Sequence, residues 1–303
     1  MECVRLEVPS SLDGVRLDQF LSSSFANISR NTLHKLIKQG MVKSNAKRIT
    51  KPSTKVKQGE VYIIDTLTLP PRSVNVSSEI TQKFATWIIH EHPDFFVINK
   101  PINLIVHPPS PLSEIIALSD IIATSYPAIQ DVGEPLRPGI VHRLDKDTSG
   151  LMLIARTAQG YRNLRTLFEN RDITKEYIAL VRGYPPKSGA ISASIARHPV
   201  QPQKMTWNTA TGREAYTEYH VQEYRQNYSI VSARLCTGRT HQLRVHFASI
   251  GHPIIGDSLY GTSCKHLKRQ ALHAHHLAFT YDNTPYSFTA PTPSDIQRYI
   301  LTF

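Results

Sequence analysis

Residues 142–150, HRLDKDTSG, crowd Arg143, Asp145, Lys146 and Asp147 between two apolar runs, GIV before and LMLIA after. Apolar runs of that length belong in buried strands. A carboxylate carried to the end of such a strand must be paired with a cation or lose its charge. Any fold for this chain therefore has to bring a strongly charged connection up against a buried sheet. Much of the stretch is turn chemistry: Asp, Thr and Ser side chains bond their own backbone, and Gly150 permits positive φ. That accounts for Asp147, Thr148, Ser149 and Gly150 as a polar connection. It accounts less well for Asp145, at the end of PGIVHRLD, which the pattern predicts to be a strand. On a strand, Arg143 and Asp145 would point the same way with Leu144 between them.

A cation that could hold Asp145 ionised is present in CTGRTHQLRVHFASIGHPIIGD, residues 236–257. Arg239 follows a Thr-Gly turn, and Arg244 sits among Leu243, Val245 and Phe247. An arginine buried in such company needs a carboxylate; from the residues alone, Asp145 or any structural acid would serve. Tyr177, in DITKEYIAL, falls in a predicted strand and is equally a core tyrosine on local grounds.

Other site types are excluded or weak. The chain has no G-x-G-x-x-G, no G-x-x-x-x-G-K-[ST] and no G-x-S-x-G, so no phosphate-cradling loop or hydrolase elbow is visible. VHRLDKD echoes a kinase catalytic loop, but Leu144 spoils the spacing. LHAHHLAF gathers His273, His275 and His276, yet no H-E-x-x-H or cysteine pair accompanies them, and no metal site is expected. Cys3, Cys236 and Cys264 are odd in number and far apart, which suggests a reducing cytoplasm rather than a disulfide framework. No apolar run approaches the eighteen residues of a membrane span, and the N-terminus lacks a secretory apolar region.

Charge divides the chain. The net charge is +11, and Arg30 to Lys57 alone hold nine Lys or Arg and no Asp or Glu. Such a focused patch attracts polyanions. It lies in a compact module. RLDQFLSSSF has helical spacing of Leu17, Phe20, Leu21 and Phe25; SRNTLHKLIKQG runs from an N-cap at Ser29 along Leu33, Leu36 and Ile37 to Gly40. Arg30, Lys35, Lys38, Lys43, Lys47 and Arg48 are the candidate contacts for such a polyanion, with small strands around a turn at Ser44–Ala46. Residues 65–84, rich in Pro, Ser and Thr, are predicted to be a linker. Beyond it, WIIHEHPDFFVINKP predicts two strands around a turn at His92–Asp94. LSEIIALSDIIATSY and GYRNLRTLFENRDI predict helices, the second with Leu164, Leu167 and Phe168 as its stripe. EYIALVRGYP, YTEYHVQEY, YSIVSARLC and HLAFTY predict strands. Helices and strands mix without regular alternation, which favours α+β over a doubly wound sheet.

The segment from Val15 to Ile64 resembles the S4 RNA-binding domain. RPGIVHRLDKDTSGLMLIAR, DITKEYIALVRG and TGRTHQLRVHFASIGHPIIGDSLYG, with VINKPINLIVHPPS and GREAYTEYHV, resemble the RluA family of RNA pseudouridine synthases, in family order over about residues 86–290. The resemblance implies an α+β, mixed and largely antiparallel synthase sheet with flanking helices at 85–303, after an S4-like α/β RNA-binding domain at 1–64 and the 65–84 linker. It implies an isomerase that converts uridine to pseudouridine without a cofactor, with Asp145 as catalytic aspartate, Tyr177 stacking on the uracil and Arg244 paired with Asp145. Arg143 would fill the space left by the flipped nucleotide, Leu243 would pack near the base and Arg239 would contact RNA. The implied partner is large-subunit ribosomal RNA, with helix 69 as the expected site, acted on by a cytoplasmic monomer. The family often has Gly where Asn103 stands; Asn tolerates the left-handed region, so the same turn is expected. Besides a sibling synthase with a different ribosomal RNA site, two other functions are open on the sequence. An RNA-binding or ribosome-assembly factor with an idle synthase domain would be free to lose Asp145, Tyr177 or Arg244, and a base-excising hydrolase would release free uracil.

Overall fold

The computed structural model describes residues 3–24, 30–45, 47–65, 74–109, 113, 115–134, 137–201 and 203–303. The chain divides into two compact units, Met1–Asn75 with Pro108–Ile115, and Val76–His107 with Ile116–Phe303.

The first unit packs two helices on a small sheet. α1 (Leu17–Ser24) buries Leu17, Phe20 and Leu21, and α2 (Arg30–Lys38) buries Leu33, Leu36 and Ile37, the spacing that the sequence pattern predicts. At the end of α2, Gly40 (φ 71°) donates to Ile37 O and Met41 N–H donates to Leu36 O, a Schellman stop that needs a residue without Cβ strain. β1 (Cys3–Glu7), β2 (Val42–Ser44), β3 (Lys47–Ile49) and β4 (Val61–Asp65) form an antiparallel sheet in the order β1-β4-β2-β3. Lys35, Lys38, Lys47 and Arg48 are exposed and Lys43 is half-buried. Arg30 departs from the unbalanced patch expected there: with Arg16 it hydrogen-bonds the buried carboxylate of Asp18, at 3.1 and 3.0 Å. Asp18 lies twelve residues before Arg30, outside the run of like charge. The expected features at Phe25, Ser29 and Ala46 lie outside the described residues.

The second unit begins inside the segment predicted to be a linker. α3 (Ser78–Trp87) takes up its last seven residues and continues past it, with the Ser77 hydroxyl accepting from Ile80 N–H; Phe84 on its inner face is fully buried, and that burial offsets the weak local pattern. β5 (Ile88–Glu91) and β6 (Phe95–Lys100) follow, then α4 (Leu118–Ser125), the short pair β7 (Gly133–Glu134) and β8 (Arg137–Pro138), β9 (Ser149–Ala155), α5 (Ala158–Asn170) and β10 (Ile173–Arg182). Next come β11 (Ser188–Ser192), β12 (Ile195–Arg197), β13 (Met205–Trp207), β14 (Tyr216–Tyr224), β15 (Tyr228–Leu235), α6 (Gln242–Ser249), β16 (Leu272–Tyr281), β17 (Thr284–Thr289) and α7 (Ser294–Thr302). A nine-stranded sheet runs β11-β14-β15-β10-β16-β9-β6-β5, with β17 on β16; β9 with β16 is its parallel pair and its other pairings are antiparallel. Every residue of β9 is buried, as are Phe95 to Ile98 of β6, because helices cover the sheet with Phe84, Leu118, Ile122, Leu164 and Ile296. The fold is therefore α+β with a mixed, largely antiparallel sheet.

Three local expectations are corrected. α4 starts at Leu118, later than the apolar pattern of residues 112–126 suggests, because the Asp120 carboxylate accepts Ala117 N–H at 2.7 Å and fixes the helix start there. PGIVHRLD is not a continuous strand: β8 ends at its proline. Ile140 makes a single bridge to Ile154, and then the His142 imidazole accepts Leu153 N–H at 2.8 Å, replacing the backbone partner that a further strand residue would offer. Gly150 belongs to β9 rather than to the turn. Its φ is 117°, and a Cβ there would lie 2.2 Å from Ala274 O on β16. Asn103 takes φ 65°, the left-handed turn expected of it.

Candidate active site

Asp145 sits in the turn that feeds β9, where Thr148 N–H donates to Asp145 O at 3.1 Å. Below the turn, the buried Lys100 ammonium donates to the carbonyls of Pro101, Leu104 and Lys146 at 2.7, 3.0 and 3.1 Å. Burial brings its pKa down to about 7, against the opposing pull of Asp147 and Asp145. The neighbouring strands set the spacing of the site. Ala274 of β16 is opposite Tyr177 of β10 on one side and opposite Gly150 of β9 on the other. A register shift between Glu176 and Tyr177 skips His275, so β16 bulges against β10 at this point, the kind of irregularity that re-aims a side chain.

The Asp145 carboxylate is 16% exposed and accepts from Arg244 Nη1 at 3.0 Å through Oδ2. Arg244, on the first turn of α6, is fixed from behind by the fully buried Asp257: Nε and Nη2 donate to its two oxygens at 2.7 and 2.9 Å. Asp257 Oδ1 also accepts Leu259 and Tyr260 N–H. Burial opposes the Arg244 charge, but the hydrogen bond to Asp257 and the charges of Asp145 and Asp257 outweigh it, and its pKa is raised. The result is a permanently charged guanidinium with one fork spent on structure and one nitrogen facing the site. Tyr177 is buried, and burial followed by the nearby Asp145 charge raises its pKa. It is a neutral phenol at pH 7.

A cavity of about 510 Å³ opens over these groups, within the range of ligand sites. Its wall includes Arg143, Arg165, Arg171, Lys175, Arg213 and Arg239, against the carboxylates of Asp145 and Glu169. Six cations around two acids make a mouth suited to a phosphate backbone. Arg143 Nη1 donates to His107 Nε2 at 3.2 Å, and burial with the Arg143 charge brings His107 down to about 4, so the ring is a neutral acceptor. Leu243, buried, lines a small recess beneath with Asp145, Tyr177 and Arg244. Arg239 reaches both spaces while its Nε donates to Glu214 O at 3.0 Å.

The structure thus brings Asp145, Tyr177, Arg244, Arg143, Leu243 and Arg239 together. Sequence reasoning missed Asp257, His107, His241, Arg171 and Arg213. Asp257 had a signal: Arg244 is one buried cation facing two carboxylates, and the Gly-Asp after PII is the nearer acid. The three histidines of β16 have other partners: His273 bonds Ser149 Oγ at 3.0 Å, His275 bonds Ala290 O at 2.7 Å, and His276 bonds Ser287 Oγ at 3.0 Å.

A model of the family described as RNA pseudouridylate synthase matches residues 94–249, and one of the S4 domain matches residues 15–61. Ribosomal large subunit pseudouridine synthase D of Zymomonas mobilis is 34% identical over 310 residues, covering 98% of this chain and 96% of that protein. An Aquifex aeolicus protein described as an uncharacterized RNA pseudouridine synthase is 39% identical over 265 residues, covering 85% and 80%. Among solved structures, human RNA pseudouridylate synthase domain containing 1 superposes with a TM-score of 0.56 at 27% identity, over 68% of this chain and 83% of that one.

Proposed function

Because the chain belongs to the RNA pseudouridylate synthase family and is a pseudouridine synthase, we propose that its substrate is large-subunit ribosomal RNA and that Asp145 is its working carboxylate. The observation that carries the assignment is the Asp257–Arg244–Asp145 chain, which ends in a half-open carboxylate at the floor of a basic cavity. The target uridine must leave its stack to reach that floor, at a cost of a few kcal/mol. The Tyr177 ring offers an aromatic face to the extruded base, and stacking of this kind returns about 1–3 kcal/mol. Arg143 enters the space that the base vacates, and the cations of the cavity wall hold the flanking phosphates. Arg244 keeps Asp145 ionised, so one carboxylate is available to act on the exposed nucleoside.

In the reaction the C1′–N1 bond breaks, the uracil turns, and C5 joins C1′. C5 loses a proton and N1 gains one, so the product is an isomer and no cofactor is consumed. Tyr177 enters as a neutral phenol, consistent with a stacking platform whose hydroxyl can pass a proton once the Asp145 charge is engaged.

The ribosomal substrate is supported by the name of the Zymomonas relative, a ribosomal large subunit synthase, and by the S4 match, whose domain exposes Lys35, Lys38, Lys47 and Arg48. Within that RNA, uridines of helix 69 are the proposed target, and the enzyme is proposed to act as a monomer in the cytoplasm. An idle synthase domain is disfavoured by the intact ion-pair chain. Asp145→Asn should abolish tritium release from RNA labelled with [5-³H]uridine while RNA binding survives; turnover at the normal rate would sink the assignment. Mapping pseudouridines in ribosomal RNA from cells with and without the gene tests the target, and loss of sites only outside the large subunit would overturn it.

A further inference from the structure

Among the described residues, Arg244 and His241 bring nitrogens within 4 Å of the Asp145 carboxylate, and Arg244 occupies only Oδ2. The other oxygen, Oδ1, faces His241 Nε2 at 3.9 Å. That imidazole is not free to turn. Its Nδ1 lies 2.8 Å from the Tyr260 hydroxyl, and the same hydroxyl accepts Met205 N–H at 2.7 Å. Met205 N–H takes one lone pair of that oxygen, which favours donation of the hydroxyl proton to Nδ1 over a second acceptance. An imidazole that accepts at Nδ1 carries its proton on Nε2, so the donor faces the free oxygen of Asp145. The backbone agrees: His241 is in the left-handed region (φ 56°, ψ 20°) at the N-terminus of α6, three residues before Arg244. A side chain with a Cβ stays there only where its surroundings hold it.

We propose that His241 is a positioning residue for Asp145, its Nε2–H setting the direction of Oδ1 toward the extruded uridine. This deepens the assignment of Asp145 as working carboxylate and rests on it. Asp145, Arg244, Asp257 and Arg143 surround the ring, and burial, the largest influence, lowers its pKa. The ring is therefore a neutral donor at pH 7. It orients the carboxylate without adding a second full positive charge beside Arg244, which would hold the carboxylate electrons more tightly. Each carboxylate oxygen keeps a further lone pair for the substrate. The 3.9 Å gap shortens to hydrogen-bond length as a nucleotide fills the cavity, since catalytic contacts tighten on substrate binding.

The test uses the full chain and an unmodified large-subunit RNA transcript carrying [5-³H]uridine. His241→Ala should lower kcat about 10–100-fold, the range for a reacting group misplaced by an ångström, with KM unchanged. His241→Gln, whose amide N–H reaches the same point, should recover most of the loss, and Tyr260→Phe should give a smaller fall. The ¹⁵N spectrum of the wild type should show His241 protonated at Nε2, and Tyr260→Phe should mix the two tautomers. Wild-type kcat in His241→Ala, a loss confined to KM, or a ring protonated at Nδ1 would each overturn the proposal. If the alanine variant does not fold, the wild-type and Tyr260→Phe spectra decide. Asp145→Asn separates the two claims: full activity there removes the catalytic assignment itself, whereas an inert Asp145→Asn beside a full-rate His241→Ala removes only the positioning role.

Discussion

Asp257→Asn should damage stability more than Asp145→Asn, and activity less. Arg244 makes three charge-assisted bonds, two to Asp257 at 2.7 and 2.9 Å and one to Asp145 at 3.0 Å. The Asp257 side chain is fully buried, that of Arg244 is 9% exposed and that of Asp145 is 16% exposed. Neutralising Asp257 removes the charge behind two bonds in a dry setting, and the amide nitrogen then confronts the guanidinium donor to donor. The expected cost is about 3–5 kcal/mol, the range for breaking a buried ion pair from one side. Neutralising Asp145 removes one bond at the edge of a wet cavity and leaves Arg244 its main partner, so about 1–2 kcal/mol is expected. Activity follows the opposite order. Asp145→Asn has no working carboxylate and should be inert, whereas Asp257→Asn keeps Asp145 beside a loosened Arg244 and should lose about 10–100-fold in kcat. Urea unfolding of the full chain gives the first ranking and tritium release gives the second. Asp145→Asn proving the more destabilising of the two, or Asp257→Asn turning over at the wild-type rate, would refute the reasoning.

Two further outcomes come from the first unit. Hydrogen bonds from Arg16, then Arg30, lower Asp18 to about 2. A depressed carboxylate contributes stability above its unfolded pKa near 4 that fades as pH falls through 2. Because both arginines are partly exposed, Asp18→Asn should cost only about 1–2 kcal/mol at pH 7; acid unfolding of the two full chains should converge between pH 4 and 2. Replacing Lys35, Lys38, Lys47 and Arg48 with Gln should flatten the salt dependence of RNA binding by about 0.7–0.9 in log–log slope for each side chain that touches a phosphate; filter binding at several salt concentrations reads it, and an unchanged slope would remove that face from the RNA contact.

The helices of the first unit were legible because each buries a stripe at 3.6-residue spacing, and β9 because its run LMLIA, in a strand buried throughout, is unbroken by a polar residue. Asp145 was legible as a problem, a carboxylate placed where it needs a cation, and Arg244 as the complementary one. That Arg244 takes a distant acid as well as the near one was not legible: Asp257 is 13 residues away and Asp145 is 99, and no local rule adds a distant partner to a near one. PGIVHRLD misled because a histidine side chain took the place of a backbone strand partner, something no periodicity records. Gly150 suggested a turn, although the constraint on it is the backbone of β16. Arg30 seemed free because Asp18 lies just outside the charged run. His241 gave no signal, since its role depends on Tyr260, 19 residues later, and on a hairpin amide.

The double pairing of Ala274 has a consequence for synthesis. β16 is the spacer between the strand that carries Tyr177 and the strand that follows Asp145, and it is made long after both. Tyr281, at its end, is 104 residues beyond Tyr177 (281 − 177). At about 5–20 residues per second, the ribosome needs about 5–21 s to cover that distance. For that interval a nascent chain holds its carboxylate and its tyrosine with nothing to set the gap between them. A chain stopped between β10 and β16 therefore carries both proposed site residues with no assembled site, which is complete only when that strand slides into the middle of the sheet.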